Sequence, residues 1–173
     1  MCKILLTNQT MFDKLETHKK GLKHFAFSIF MFNSSGELLL QKRAKNKYHS
    51  GGLWSNTCCS HFTKKSDIKN RKQVAKKRLF EELGVKFSGE LNEIFVFEYN
   101  ARVGQDLIEN EFDYVLKGKL NNDECIFSIN KEEVEEIKFV NIGWLKNDIR
   151  LNPDKYTEWL KLIVQEKYKI LFS

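Results

Sequence analysis

The stretch Trp54-Ser55-Asn56-Thr57-Cys58-Cys59-Ser60-His61 follows a glycine turn at 51–52 and precedes a basic, polar run. Cysteine offers a nucleophile or an acid/base group, and histidine is a common metal ligand. If the segment is extended, Cys59 and His61 point to the same side and Cys58 points away. A metal ion held by His61 would then lie close to the Cys59 thiol. We therefore interpret this stretch as the reaction centre.

Length and composition around this stretch indicate a globular chain. With 173 residues, 42% hydrophobic and 30% charged, the chain is long enough to form one domain with a sizeable core, and we expect that domain to span residues 1–173. No apolar run approaches the ~18–20 residues of a membrane span, and the N-terminus lacks the pattern of a signal peptide. The four cysteines form no regular disulfide framework, which favours reduced thiols and a cytoplasmic location.

The net charge of +6 and the pI of about 9.0 favour an anionic partner. Nucleic acid, a membrane surface or a phosphorylated small molecule would each fit, and so would a lysine-rich surface that only keeps the chain in solution. The basic segment 64–78 raises the first of these possibilities. Because its lysines lack interleaved aromatic residues and no nucleic-acid-binding motif is present, we expect a small molecule, with no nucleic acid and no membrane.

Hydrophobic periodicity predicts a mixed arrangement of strands and helices. Residues 24–33 are typical of a strand buried on both faces, and the turn 33–36 leads to a returning strand at 37–42. A helix is predicted over 66–83, capped by Ser66 or Asp67 and ended by Gly84. Further strands are predicted at 93–99, 107–117 and 137–140, a solvated turn at 131–136, and a C-terminal helix at 154–171 whose inner side carries Tyr156, Trp159, Leu160, Ile163 and Val164. This mix predicts one α/β or α+β domain.

A second informative stretch is Glu109-Asn110-Glu111. On a strand, residues two apart face the same way, so both carboxylates would enter one space, where a metal ion would remove their repulsion. A solvated strand edge is the alternative. The remaining candidate ligands are His18 and His24, whereas His49, in a predicted loop, is assigned to the surface. The set His18, His24, His61, Glu109 and Glu111 would suit a divalent ion such as Zn²⁺, Mn²⁺ or Mg²⁺.

The third stretch is Arg78-Leu79-Phe80-Glu81-Glu82-Leu83-Gly84-Val85, which resembles the end of the Nudix box. In that family a loop–helix–loop carries carboxylates that hold Mg²⁺ against a diphosphate. Here Lys77 and Arg78 replace the consensus Arg and Glu, and Lys69 stands where an upstream Glu belongs. The stretch therefore favours diphosphate binding over Nudix hydrolysis. Arg78 and Glu82 share a helix face, which suits either phosphate and Mg²⁺ binding or an ordinary salt bridge.

Taken together, the chain from about residue 14 to residue 159 resembles type I isopentenyl diphosphate isomerase. The resemblance rests on His18 and His24-Phe-Ala-Phe-Ser, on Arg43-Ala-x-x-Lys47, on the stretch 54–61, on Glu82-Leu-Gly and on Glu109-Asn-Glu111. It implies a Nudix-like mixed sheet flanked by helices in a single compact domain. It also implies the interconversion of isopentenyl and dimethylallyl diphosphate in isoprenoid biosynthesis, by a monomer or weak homo-oligomer. A Nudix hydrolase of a nucleoside diphosphate is the alternative.

The resemblance also implies a role for each matching residue. Cys59 and Glu111 would be the acid/base groups on opposite sides of the substrate, with Tyr99 beside Glu111. One Mn²⁺, Zn²⁺ or Mg²⁺ ion would be bound by His18, His24, His61, Glu109 and Glu111, and Glu82 would help to hold a second, diphosphate-bound Mg²⁺. Contacts to the diphosphate would come from Lys14, Arg43, Lys47 and Arg78, and Trp159 would lie over the isoprenoid tail.

Overall fold

The aromatic strand β3 (His24–Phe32) lies at the centre of a seven-stranded mixed sheet in the computed structural model, which describes residues 2–121 and 126–172. All nine of its residues are buried, as the aromatic run predicted. On one side β3 pairs in parallel with β8 (Leu107–Lys119), which pairs antiparallel with β7 (Asn92–Val103). Both predicted strands on this side are present and are longer than expected.

The other side of β3 is shared by two strands, because the sheet splits there. β4 (Leu38–Arg43) pairs with β3 through Phe32 and Leu38, while β6 (Cys58–His61) pairs with residues 26–29 of β3. β4 then turns away and pairs with β5 (Trp54–Ser55) and β9 (Val134–Val140). The chain between β5 and β6 therefore lies where β3 and β4 diverge.

Side chains of Asn56 and Thr57 replace the hydrogen bonds that the sheet loses at this split. Thr57 Oγ1 accepts from Met31 N at 2.9 Å and donates to Leu39 O at 2.6 Å, which links β3 to β4. Asn56 Nδ2 donates to Ile29 O at 3.1 Å and to Cys58 O at 2.8 Å. Both residues are fully buried, so these bonds satisfy backbone groups that would otherwise be costly to leave unpaired.

Helices cover both faces of the sheet. The remaining elements are a small hairpin of β1 (Lys3–Leu5) and β2 (Met11–Asp13), the helices α1 (Lys14–Lys19), α2 (Lys65–Lys69), α3 (Arg71–Leu83), α4 (Ile142–Leu151), α5 (Glu158–Glu166) and α6 (Tyr168–Leu171), and a 3-10 turn at Pro153–Lys155. α3 buries Ala75, Leu79 and Leu83 on one face, and α5 buries its apolar side on the other. The predicted mixed sheet flanked by helices, in a single compact domain, is confirmed. In the part of the chain that the structure describes, no helix is long and apolar enough to cross a membrane.

The predicted helix over 66–83 is wrong in one respect, because it is two helices that meet at Asn70. The backbone of Asn70 leaves helical geometry with φ −101° and ψ 23°. Ser66 and Asp67 lie inside α2 and do not cap it, since the cap position is Lys64. The Asp67 carboxylate instead accepts from the Thr63 amide at 3.2 Å and the Thr63 hydroxyl at 3.1 Å. The predicted end at Gly84 is confirmed by its left-handed φ of 70°.

Two further predictions need correction. Residues 134–136 are the start of β9 and not part of a solvated turn, because Val134 is fully buried and pairs with β4. The predicted C-terminal helix at 154–171 is interrupted, since Thr157 N donates to Trp54 O at 2.9 Å and so leaves the helical pattern. The predicted inner side of this segment is buried as expected. Cys2, Cys58 and Cys59 are free thiols, and Cys125 lies outside the described residues.

Candidate active site

Two buried histidines enter the site from different elements, His18 from the end of α1 and His24 from the start of β3. His18 Nδ1 lies 2.6 Å from Lys14 O, and His24 Nδ1 lies 2.8 Å from Leu22 O. A carbonyl oxygen can only accept, so Nδ1 carries the proton in both rings. The Nε2 lone pairs then face the Glu109 carboxylate, while Nδ1 donates to a carbonyl oxygen, as the second ring nitrogen of a metal-binding histidine commonly does.

The two carboxylates of β8 face these histidines. Glu111 is the register partner of His24, and both Glu109 and Glu111 are buried. Glu109 Oε2 lies 3.1 Å from His18 Nε2 and 3.5 Å from His24 Nε2. These pairs bring together atoms that both accept hydrogen bonds, which is stable only if a cation lies among them or the rings take up a second proton.

The donor set fits a metal ion. One ligand atom each from His18, His24, His61 and Glu109 lies within 4.8 Å of all the others, so this group can hold an ion. His24 Nε2 is buried and has no hydrogen-bond partner among the described residues. Burial would lower the pKa of His24, but Glu109 and Glu111 raise it to about 10, which shows how strongly the two carboxylates require positive charge. Glu111 lies at the rim of this group, with Oε1 3.0 Å from His61 Nε2.

Cys58 and Cys59 face opposite sides of the sheet, as the sequence predicted. Cys58 is fully buried in the cluster under α3, whereas Cys59 is partly buried and packs against the cluster under α5. Burial raises the pKa of the Cys59 thiol to about 12, although the charge of Arg43 opposes this shift. The Cys59 sulfur is therefore a protonated thiol at neutral pH.

Glu111 is in the opposite protonation state. Burial and the charge of Glu109 would raise its pKa, but the neighbouring imidazoles of His24 and His61 keep the pKa below its usual value. Tyr99 donates its hydroxyl proton to Glu111 Oε2 at 2.7 Å. Burial and the charge of Glu111 raise the pKa of Tyr99 well above its usual value, so Tyr99 stays a donor. The site thus holds a neutral acid at Cys59 and an ionised carboxylate at Glu111.

Four cationic side chains line the same cleft, those of Lys14, Arg43, Lys47 and Arg78. Arg43 Nη2 donates to His49 O at 3.3 Å, and Arg43 Nε is buried without a hydrogen-bond partner among the described residues. The Lys14 ammonium lies 4.5 Å from the centre of the Tyr48 ring. Burial and the charge of Lys47 lower the pKa of Lys14. Like charges collected in a cleft attract an anion.

Glu82 and Arg78 reach this cleft from α3 and are paired with each other. Arg78 Nε donates to Glu82 Oε1 at 2.7 Å, and Gln41 Nε2 donates to Glu82 Oε2 at 3.1 Å. Glu82 lies outside the group of four ligand residues. Arg78 also pairs with Glu133 at 3.0 Å, and Glu133 forms a second ion pair with Lys47. The salt bridge, one of the two alternatives for this pair, is therefore present, and both of its residues line the cleft.

Trp159 closes the cleft from α5. Its Nε1 donates to Ser55 Oγ and Asn56 Oδ1, both at 3.0 Å, so the stretch 54–61 fixes the indole. The Arg43 guanidinium lies 5.3 Å from the centre of the Trp159 ring. One cleft, with about 560 Å³ of empty space including its opening, is lined by Lys14, Arg43, Lys47, Cys59, His61, Arg78, Glu82, Tyr99, Glu109, Glu111 and Trp159 among others. The remaining predicted site residues, His18 and His24, lie buried beside it.

Comparison with known proteins identifies relatives of this chain. The family model of the NUDIX domain matches residues 22–160. Isopentenyl-diphosphate Delta-isomerase 1 of Aromatoleum aromaticum is 43% identical over 151 residues, which are 87% of this chain and 81% of that protein. The isopentenyl-diphosphate Delta-isomerase of Serratia proteamaculans is 40% identical over 154 residues, 89% of this chain and 82% of that protein. The chain belongs to the isopentenyl-diphosphate Delta-isomerase family.

Solved structures with low identity share the fold of this isomerase family member. DR0079 from Deinococcus radiodurans superposes with a TM-score of 0.66 at 11% identity, covering 95% of this chain and 97% of that one. The NUDIX domain of Shewanella oneidensis NrtR superposes with a TM-score of 0.58 at 16% identity, covering 91% and 99%. At such identities the likeness concerns the fold alone.

Sequence reasoning missed two residues that line the cleft, His49 and Glu133, and one buried acid of β8, Asp113. The assignment of His49 to the surface is wrong, because the residue is buried and its Nε2 lies 2.8 Å from Glu109 Oε1. Glu133 was placed in a solvated turn, yet it pairs with Arg78 and Lys47. Asp113 is fully buried on β8, and burial together with the charge of Glu111 raises its pKa well above the usual value. The two-residue period from Glu109 through Glu111 would have pointed to Asp113.

Proposed function

We propose that this protein interconverts isopentenyl diphosphate and dimethylallyl diphosphate, with Cys59 and Glu111 as the acid/base pair. The observation that carries the proposal is the pair itself. A protonated thiol on β6 and a carboxylate on β8 line one cleft, on strands that flank β3 from either side. Two groups whose surroundings give them opposite protonation states suit a reaction that adds one proton and removes another.

The reaction moves a double bond along a five-carbon chain. A proton is added to the terminal CH₂ carbon of isopentenyl diphosphate, which leaves a tertiary carbocation at the neighbouring carbon. A second proton is then lost from the CH₂ group on the other side of that carbon, and the electron pair of this C–H bond forms the new double bond. Cys59 and Glu111 exchange these protons at Sγ and at a carboxylate oxygen. Tyr99 holds Glu111 Oε2 in place through its 2.7 Å hydrogen bond.

The carbocation needs stabilisation and the exclusion of water. The face of a tryptophan attracts a cation by about 2 kcal/mol when the cation is desolvated. Trp159 is fixed by two hydrogen bonds and is 3% exposed, so its indole can cover the isoprenoid end of the substrate. Water that reached the cation would trap it as an alcohol.

The diphosphate supplies binding and orientation. Lys14, Arg43, Lys47 and Arg78 line the cleft, and charge-assisted hydrogen bonds from such groups to phosphate are among the strong ones. Fixing the charged end of the substrate places the alkene between the acid and the base.

One Mn²⁺, Zn²⁺ or Mg²⁺ ion would be held by His18, His24, His61, Glu109 and Glu111. Glu82 would help to hold a second ion, an Mg²⁺ on the diphosphate. A bound divalent ion supplies charge that balances the carboxylates and, at Glu82, the phosphate oxygens. The histidine nitrogens favour a transition metal over Mg²⁺ at the first site.

The experiment is NMR of the purified protein with isopentenyl diphosphate, Mg²⁺ and D₂O. We expect dimethylallyl diphosphate that carries deuterium on a methyl carbon, and we expect the Cys59→Ala variant to lose this product. Release of inorganic phosphate without a shifted double bond would instead identify a Nudix hydrolase. An unchanged substrate with metal-loaded protein would reject both isomerisation and hydrolysis of isopentenyl diphosphate.

A further inference from the structure

His49 touches the metal-binding group without being part of it. The two oxygens of Glu109 have different neighbours. Oε2 faces His18, His24 and His61 at 3.1, 3.5 and 3.8 Å. Oε1 faces His49 Nε2 at 2.8 Å. Oε2 of Glu109 is thus available to a metal ion, while Oε1 is paired with His49.

The hydrogen bonds of His49 give its ring the opposite tautomer to the ligand histidines. His18 and His24 direct Nδ1 at main-chain carbonyl oxygens, which forces the proton onto Nδ1. His49 Nδ1 instead lies 3.1 Å from the Ser50 hydroxyl, which can donate a hydrogen bond. With Nδ1 as acceptor, Nε2 carries the proton and donates it to Glu109. A ring nitrogen that bears a proton cannot bind a metal ion.

The loop before β5 is shaped to bring His49 into this position. Ser50 has a left-handed backbone with φ 52°, which is uncommon for a residue other than glycine and costs about 1 kcal/mol or more. At Gly51 a Cβ atom would lie 2.4 Å from Lys45 O, so no side chain fits there. The His49 side chain is 3% exposed, and its ring centre lies 6.0 Å from that of Trp159 with the two rings nearly perpendicular. The strained backbone of Ser50 thus directly follows a buried imidazole that points at Glu109.

We infer that His49 is a positioning residue for the metal site, holding Glu109 from the outer shell so that Oε2 points at the histidine nitrogens. This inference rests on the metal site of the proposed function. Partners of this kind fix the orientation of a ligand, and their loss typically weakens metal binding by about 10- to 100-fold. The role belongs to the loop residue His49 and not to the stretch 54–61.

The test measures metal affinity, so it does not depend on turnover. Chelator-treated protein is titrated with Co²⁺ in competition with a chromophoric chelator, and the absorption spectrum of the Co²⁺ form is recorded. We expect His49→Ala to weaken Co²⁺ binding by about 10- to 100-fold with an unchanged spectrum at saturation. His49→Gln, which keeps an N–H donor, should recover most of the affinity. Asn46→Ala, at an exposed position of the same loop, serves as the control and should bind as the wild type does.

Ser50→Gly is a second variant that avoids a folding defect, because glycine accepts the left-handed backbone. It removes the hydroxyl that fixes the tautomer, and we expect an affinity between those of wild type and His49→Ala. Unchanged affinity in His49→Ala would overturn the inference. So would an altered Co²⁺ spectrum, which would make His49 a ligand. If the wild-type protein bound no Co²⁺, the proposed metal site itself would be wrong. If it bound Co²⁺ but did not isomerise the substrate, only the proposed activity would be overturned.

Discussion

The two faces of the central sheet differ in chemistry although they alternate along the same strands. On β6, Cys58 lies in the apolar cluster under α3, and Cys59, one residue later, lies on the face that carries the carboxylates and Trp159. On β8, Phe112 and Tyr114 pack towards α3, whereas Glu109, Glu111 and Asp113 occupy the other alternation. Burial alone therefore does not mark the site. What marks it is a polar residue at every second position of a buried strand.

The largest effect should come from the thiol on the α5 side. We expect Cys59→Ala to lower kcat by at least about 10³-fold, because a positioned acid/base group contributes roughly 10²–10⁴-fold and no other thiol faces this cleft among the described residues. Binding of isopentenyl diphosphate, measured by calorimetry, should survive. Turnover near the wild-type rate would reject Cys59 as an acid/base group.

Glu111→Gln tests the carboxylate opposite this thiol. We expect a loss of about 10³-fold in kcat, because the amide keeps the shape and the Tyr99 hydrogen bond but cannot exchange the proton. Deuterium incorporation from D₂O provides the measurement. Asn110→Ala, at the neighbouring position that faces away from the cleft and donates to Gly21 O at 2.9 Å, should retain turnover. Equal losses in the two variants would indicate damage to β8 rather than lost chemistry.

On the α3 face, truncating a core side chain should lower the stability of the fold and leave turnover unchanged. Leu79 is fully buried in the apolar cluster, so Leu79→Ala should lower the free energy of unfolding by about 2–5 kcal/mol, as cavities in cores do. Phe80→Ala, next along α3 and 49% exposed, is the control and should change it by less than about 1 kcal/mol. Chemical denaturation measures both. Below its unfolding transition, Leu79→Ala should keep a wild-type kcat, and a selective loss of kcat would contradict the division between the faces.

A smaller effect is expected from a single cation of the cleft. Arg43→Gln should raise KM by about 10- to 100-fold with kcat largely retained, because one charge-assisted hydrogen bond is worth about 1.5–3 kcal/mol. Arg71→Gln is the matched control, since Arg71 pairs with Glu93 away from the cleft. Steady-state kinetics on the two variants separates a phosphate contact from a general loss of positive charge. Equal changes in KM would show that only the net charge matters.

The sequence predicted most of the site because its residues recur at two-residue spacing on strands or in a distinctive string. The convergence of His24, His61 and Glu109 follows from strand pairing, since β3 lies between β6 and β8, whereas His18 reaches the group from α1. His49 escaped because a loop conformation brings it inward, with a left-handed Ser50 that no periodicity reports. The break at Asn70 also escaped, since Ile68 before it and Val74 after it pack against the same apolar cluster. The alternation of side chains along a strand determines which face of the sheet each residue occupies, but the path of a loop depends on contacts distant in sequence.

Cys58→Ala is the smallest change and the closest control for the thiol chemistry, since it alters the residue next to Cys59. Burial and the charge of Glu82 raise the pKa of Cys58 well above its usual value, so its sulfur remains a neutral thiol packed under α3. Replacing the Cys58 side chain with the methyl group of alanine should lower the free energy of unfolding by about 1 kcal/mol and leave kcat close to that of the wild type. Denaturation and D₂O exchange on the same preparation test both halves of this expectation. If Cys58→Ala lost turnover while remaining folded, the alternation along β6 would not separate structure from chemistry.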